Sequence, residues 1–244
     1  MNLLLRVRRL ASLTCLYGSA VLTARAADLK LSGFPFTDES LRYTVTGQSG
    51  LSLGEAHMTA TRRTAANGGE RWDFQLALDA TVPGFKVSDT YRADSSLDFC
   101  AATFEKAFVH SARKSHEFTY FNSEDGLARR YTDGGGKSEV PVSSCARDAL
   151  TFLYFARREL GQGRVPPRED VLCGALYRVQ MVYKDAQAVK VHDQDAEADR
   201  VVVTVKGLAS ETTFEMFFAR DAARTPLLVR VPLSLGTVSL ELAR

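Results

Sequence analysis

From residue 41 onward the chain alternates apolar and polar side chains with a period of two, and it keeps this pattern almost to its last residue. Leu41, Tyr43 and Val45 fall on one side of the first such segment, with Arg42, Thr44 and Thr46 between them. The pattern returns in Trp72-Phe74-Leu76-Leu78, Phe104 to Val109, Phe118-Tyr120 and Tyr177-Val179-Met181-Tyr183. It continues in Val201-Val203-Val205, Phe214-Met216-Phe218, Leu227-Val229-Val231 and Val238-Leu240-Leu242. Successive side chains of a strand point to opposite faces, so the pattern predicts antiparallel strands with one packed and one solvated face. Turn formers separate the segments: Asn67-Gly68-Gly69, Pro83-Gly84, Glu124-Asp125-Gly126, Asp133 to Gly136 and Leu235-Gly236. Roughly a dozen strands result, without the helices that parallel crossovers require.

One segment departs from this rule. Ala149, Phe152, Leu153, Ala156 and Leu160 follow helical spacing, after Ser143-Ser144 and before Gly161-Gln162-Gly163. A serine can cap the first turn of a helix and a glycine can close the last. The stretch from Ala149 to Ala156 is apolar nearly all round, which predicts a helix buried against more than one surface. Arg157-Arg158-Glu159 at its end read as charges that complement the helix dipole. Pro166-Pro167 then stiffens the return to the next strand. The expected fold is mainly β: a strongly curved antiparallel sheet, a half-barrel or open barrel, wrapped around one buried α-helix. Asp28 to Phe36 fits either a short edge strand or a lead-in arm.

The first 26 residues have a different character. Arg6, Arg8 and Arg9 precede an apolar run from Leu10 to Leu22, and Ala24-Arg25-Ala26 supplies small residues at a cleavage site. This is the pattern of a secretory signal peptide, cut near Ala26, that delivers residues 27–244 as one β-rich domain to the periplasm or beyond. Cys15 lacks the apolar box of a lipoprotein, and no later stretch is apolar enough for a transmembrane helix. Removing the segment turns 31 basic against 29 acidic residues into 27 against 29, so the formal charge passes from +2 to −2. A nucleic-acid partner would want a basic stripe, and none is visible.

Cys100, Cys145 and Cys173 remain in the mature chain. An oxidising compartment favours pairing of two. Metal binding would want C-x-x-C spacing or a nearby histidine, and neither occurs. Cys100 and Cys145 lie at the edges of predicted elements and are the expected disulfide, while Cys173 falls inside a strand-like run and reads as a buried thiol.

Several motifs evoke chemistry and fail on context. Gly50-Leu51-Ser52-Leu53-Gly54 matches G-x-S-x-G, but a nucleophile elbow needs a strand turning into a helix, and both flanks here read as hairpin strands. Gly134-Gly135-Gly136-Lys137-Ser138 suggests a phosphate loop, yet Tyr131 stands where the first glycine belongs. His192 to Asp199 gathers four acids without the glycine of a calcium loop and reads as a solvated hairpin tip. His57, His110, His116 and His192 are scattered; only His110 and His116 stand close enough to meet across a hairpin. No cofactor or metal is expected.

Three stretches resemble the bacterial exported family catalogued as domain of unknown function 3108. They are Leu41 to Val45 followed by Gly50 to Ala56, then Cys145 to Phe155, and finally Phe214 to Phe218 with Pro226 to Pro232 and Leu235-Gly236-Thr237. The likeness spans about residues 35 to 243. It implies an exported β-rich protein, similar in outline to the curved half-barrels of periplasmic lipoprotein carriers, and supplies no catalytic residues. Cys100 and Cys145 are not part of that family's pattern, so their disulfide rests on compartment chemistry. The expected function is non-catalytic binding of an apolar or lipid ligand, facing Trp72, Phe74, Phe104, Phe118, Phe152, Phe214 and Phe218. The alternative is a structural or interaction module in cell-envelope assembly whose sheet edges receive a partner protein. The third reading is a hydrolase whose site the sequence does not display, which labelling of Ser52 or Cys173 by a serine- or cysteine-reactive probe would revive.

Overall fold

A computed structural model describes residues 38–65, 68–82, 85–234 and 236–243, and there the alternating segments become strands of one sheet. Residues 1–26 (expected to be a signal peptide), Asp28 to Phe36 and the turn residues 66–67, 83–84 and 235 lie outside the described residues. The chain first runs up and down through β1 (Asp38–Thr46), β2 (Ser52–Thr64), β3 (Glu70–Val82) and β4 (Phe85–Ser95). It continues through β5 (Ala101–His110), β6 (Arg113–Asn122), β7 (Leu127–Thr132) and β8 (Lys137–Pro141). A two-residue strand, β9 (Arg147–Asp148), leads into the helix α1 (Ala149–Gly161). A second meander follows: β10 (Glu169–Cys173), β11 (Ala175–Val191), β12 (Gln194–Lys206), β13 (Glu211–Ala219), β14 (Pro226–Leu233) and β15 (Gly236–Leu242).

The two meanders join side by side through β1 and β15, with Tyr43 opposite Leu242 and Val45 opposite Leu240. The spatial order is therefore β8 through β1 and then β15 through β9, with β8 and β9 as the two edges of an open sheet. One pair departs from the expected antiparallel rule. β9 and β10 run parallel, Val171 opposite Arg147, with α1 as their crossover. A two-residue strand is too short to show a period, so the sequence pattern passes over it.

Close approach of β2 and β3 explains a glycine. A Cβ on Gly54 would sit 2.0 Å from the Asp79 carbonyl oxygen and 2.6 Å from the Ala80 Cα. Gly54 therefore continues a strand, and the G-x-S-x-G segment is the β1–β2 hairpin, in which the Gly50 N–H donates to the Gly47 carbonyl at 2.9 Å.

The sheet curls far enough for its β9–β11 end to meet the β5–β7 region, and three contacts fasten them. Cys100 and Cys145 form the expected disulfide. The Ala101 N–H donates to the Ala146 carbonyl at 2.9 Å. The Arg130 guanidinium, on β7, donates to the Gly174 carbonyl in the β10–β11 turn and lies 3.5 Å from Glu117. A disulfide, one backbone hydrogen bond and an arginine thus span the gap, where no strand ladder joins the described residues.

The helix fills the concave side. Asp148 is its N-cap: the carboxylate accepts the backbone N–H groups of Leu150 and Thr151 at 2.8 and 3.1 Å, and Thr151 Oγ1 accepts the Asp148 N–H at 2.9 Å. This reciprocal arrangement satisfies donors that Ser143 and Ser144, ahead of β9, stand too far upstream to reach. At the other end the Gly163 N–H, on a residue with φ of 73°, donates to the Leu160 carbonyl at 3.0 Å.

Arg157 corrects a second expectation. It is fully buried rather than a surface charge on the helix dipole. Nη1 and Nη2 donate to the Glu39 carboxylate of β1 at 2.7 and 2.6 Å, and Nε donates to the carbonyls of Ala223 and Arg224 at 3.1 and 3.2 Å. The Tyr154 hydroxyl donates to the same carboxylate at 3.0 Å. Planar guanidinium geometry suits this bidentate grip, which ties the helix across the seam between the two meanders.

The main core lies on the concave side, where Tyr43, Val45, Met58, Ala60 and Phe74 are buried in one cluster with Leu150, Phe152 and Tyr154 of the helix. Phe217 and Leu228 point to the opposite face from Met216 and form a smaller cluster with Val189 and Ala198.

Candidate functional site

On one side α1 is packed solid. The Tyr154 ring stacks on Phe74 at 4.2 Å between centroids, and Phe74 in turn neighbours Trp72 and Phe99 at 6.0 and 6.1 Å. Its other side presents Ala149, Phe152, Leu153 and Ala156, the i, i+3, i+4, i+7 positions of one helical face. Facing them are inward residues of β11–β13, held in register with Val179 opposite Val205, Met181 opposite Val203, and Val203 opposite Phe214. The two surfaces do not close on each other. Between them lies an apolar cavity of about 430 Å³, within the size range of small-molecule sites. Short side chains at Ala149 and Ala156 keep the helix from filling this space.

The polar features of the cavity are few. Lys106, half-buried on β5, lines it together with Cys173 and Tyr177. The Lys106 Nζ stands 5.5 Å from the Phe108 ring centroid. Burial pushes the Cys173 thiol up to about 11, which keeps it protonated near neutrality and opposes a nucleophilic role. Beside Lys106 on the same face, the Tyr91 hydroxyl donates to Asp89 at 3.3 Å, and Asp89 lies 2.7 Å from His110 Nε2. Burial first, and the Asp89 charge second, raise the Tyr91 hydroxyl above its usual range.

Of the aromatic residues expected to face a ligand, Phe152 and Phe214 line the cavity. Trp72, Phe74, Phe104 and Phe218 are buried in the packed core instead. Phe118 is displaced altogether: β6 turns Thr119 and Phe121 inward, so Phe118 lies on the outer face opposite Tyr131 and is 38% exposed. A period of two marks the two faces of a strand without saying which is inner. Lys106 was missed for the converse reason. It occupies the inward phase between Phe104 and Phe108, and a charge in an apolar phase was the available signal.

The remaining motifs take structural places. Ser52 opens β2 and is exposed on the hairpin. Gly134 to Gly136 form the β7–β8 turn, where the Thr132 N–H donates to the Gly136 carbonyl at 2.9 Å. His192 and Asp193 are the two-residue turn of the β11–β12 hairpin, both with positive φ. His110 and His116 sit on opposite faces: His116 bridges Asp133 and Glu105 at 2.9 and 2.8 Å on the outside, and these bonds raise its pKa. Among the described residues no cluster of His, Cys, Asp and Glu suits a metal ion, and no helix is long and apolar enough to cross a membrane.

Comparison with known proteins agrees with this architecture. A solved structure titled as a beta-barrel-like protein of domain of unknown function DUF1849, from Brucella abortus, superposes with a TM-score of 0.58 at 8% identity. The match covers 87% of this chain and 98% of that one, a likeness of fold. No curated protein matches the chain. The model of a protein family of unknown function, DUF3108, matches residues 42–243, a span from β1 through β15 that includes both meanders and the helix, and the chain belongs to that family.

Proposed function

We propose that this is an exported, non-catalytic protein that holds an acyl chain or a similar apolar ligand in the cavity between α1 and strands β10–β13. The carrying observation is the cavity itself: a space of about 430 Å³ walled by Phe152, Leu153, Val179, Met181 and Phe214. Apolar walls favour a hydrocarbon over water, which would find few hydrogen-bond partners there. The export signal of residues 1–26 supports action in the cell envelope, where acyl chains are abundant.

The interaction-module reading has one feature in its favour, the open edge at β8. That edge carries Lys137, Glu139 and Pro141, residue types that discourage strand addition. The cavity reading is the stronger of the two.

Mass spectrometry of the protein recovered from its native envelope tests it. A lipid or fatty acid is expected to accompany the wild-type protein and to be lost from Val205→Trp, which fills the cavity. Recovery of a folded wild-type protein that carries no lipid and binds no aliphatic probe would defeat the proposal.

A further inference from the structure

Lys106 stands out within the cavity wall. Apart from the Cys173 thiol its neighbours there are aliphatic and aromatic, and among the described residues no carboxylate lies within ion-pair distance of its Nζ. The nearest acid by register, Glu117, sits directly opposite on β6, where it is ion-paired to Arg130 and its buried Oε2 accepts no hydrogen bond from the described residues. Arg130 lies 3.5 Å from Glu117 and reaches on to the Gly174 carbonyl, so the acid belongs to the clasp between β7 and the β10–β11 turn. Asp89, on the same face, is committed to Tyr91 and His110. An ammonium held against apolar surface, with neither neighbouring acid at ion-pair distance, gains from an incoming anion. The Phe108 ring 5.5 Å away is a weak substitute.

We infer that the ligand is a single-chain amphiphile with an anionic head, its hydrocarbon along Phe152, Leu153, Val179, Met181 and Phe214 and its head at Lys106 Nζ. This rests on the apolar-ligand reading above. A carboxylate and a phosphate monoester share the chemistry that Lys106 recognises. The first comes from a free fatty acid and the second from a lysophospholipid-type head.

Binding of tetradecanoate, tetradecyl phosphate and tetradecanol to the delipidated protein tests the assignment, read by displacement of a fluorescent aliphatic probe. In the wild type at least one anion is expected to bind about tenfold more tightly than the alcohol, the worth of a charge-assisted hydrogen bond. Lys106→Met should reduce the anions to the affinity of the alcohol and leave the alcohol unchanged, while Lys106→Arg should retain the preference. Whichever anion binds more tightly names the source. Equal binding of anion and alcohol in the wild type, or a preference that survives Lys106→Met, overturns the head-group assignment while leaving the cavity reading intact. Failure of all three probes, with circular dichroism showing folded protein, overturns both.

Discussion

Replacing Arg157 with methionine keeps much of the buried aliphatic volume and removes the charge that ties α1 to the sheet. The structure allows the loss to be worked out. Two hydrogen bonds of 2.6 and 2.7 Å to Glu39 disappear, and so do those of 3.1 and 3.2 Å to the carbonyls of Ala223 and Arg224. The Glu39 side chain is only 11% exposed, so its carboxylate keeps the Tyr154 hydroxyl at 3.0 Å and little else to offset its desolvation. Removing one partner of a buried ion pair costs about 3–5 kcal/mol. At about 2–4 °C per kcal/mol for a domain of this size, Arg157→Met should lower Tm by roughly 6–20 °C. Urea denaturation at neutral pH measures the free energy directly. A double-mutant cycle with Glu39→Gln should show a coupling above about 1.5 kcal/mol. A loss below about 1 kcal/mol, or strictly additive single effects, would refute the claim that this pair anchors the helix. The ligand reading is linked to the same measurement, because a helix released from its tether is free to settle into the cavity it now holds open.

Three further outcomes are expected. Replacing Cys100 and Cys145 together by serine opens a loop of 45 residues, and the chain-entropy model then predicts a loss of about 4 kcal/mol, readable by denaturation of the variant beside the oxidised wild type. Burial raises the Asp148 carboxyl from its usual 3.8 to about 7, so the folded protein holds a proton that the unfolded chain releases between those values. Stability from this group is therefore fully present below about pH 4 and declines as pH rises toward 7, by on the order of 4 kcal/mol; Asp148→Asn should flatten that slope in a pH series of urea melts. Gly54→Val places a Cβ 2.0 Å from the Asp79 carbonyl oxygen and should cost more than about 3 kcal/mol or abolish folding, which a thermal melt of the soluble fraction would show.

Much of the fold is legible because its rule is local. Alternation at Tyr43-Val45 or Val201-Val203 announces a strand within a few residues, and the apolar run from Ala149 to Ala156 announces a buried helix. What escapes is whatever distant pairing decides. The parallel partnership of β9 with β10 follows from how the crossover helix lies, and no pattern in Arg147-Asp148 encodes it. The helix cap is Asp148 because a serine several residues upstream belongs to a different segment of backbone. Arg157 looks like a surface charge until Glu39, more than a hundred residues earlier, is brought against it. The candidate site divides in the same way. Of the seven aromatic residues expected at a ligand only Phe152 and Phe214 line it, and the outward turn of Phe118 and the inward turn of Lys106 depend on which side of the sheet receives the helix.

The pairing of β1 with β15 also bears on how the protein reaches its folded state. Among the described residues all other antiparallel ladders join strands that follow one another along the chain and can zip as hairpins while synthesis proceeds. The seam joins Tyr43 to Leu242, and the Ala243 N–H donates to the Arg42 carbonyl at 2.6 Å, so it waits for β15 to emerge. Until then β1 carries an unsatisfied edge with Tyr43 and Val45 beside it, an invitation to foreign strands. Nascent chains of this topology have a period of vulnerability that lasts from the synthesis of β1 to that of β15, and a chaperone that shields β1 would be most useful just before β15 appears.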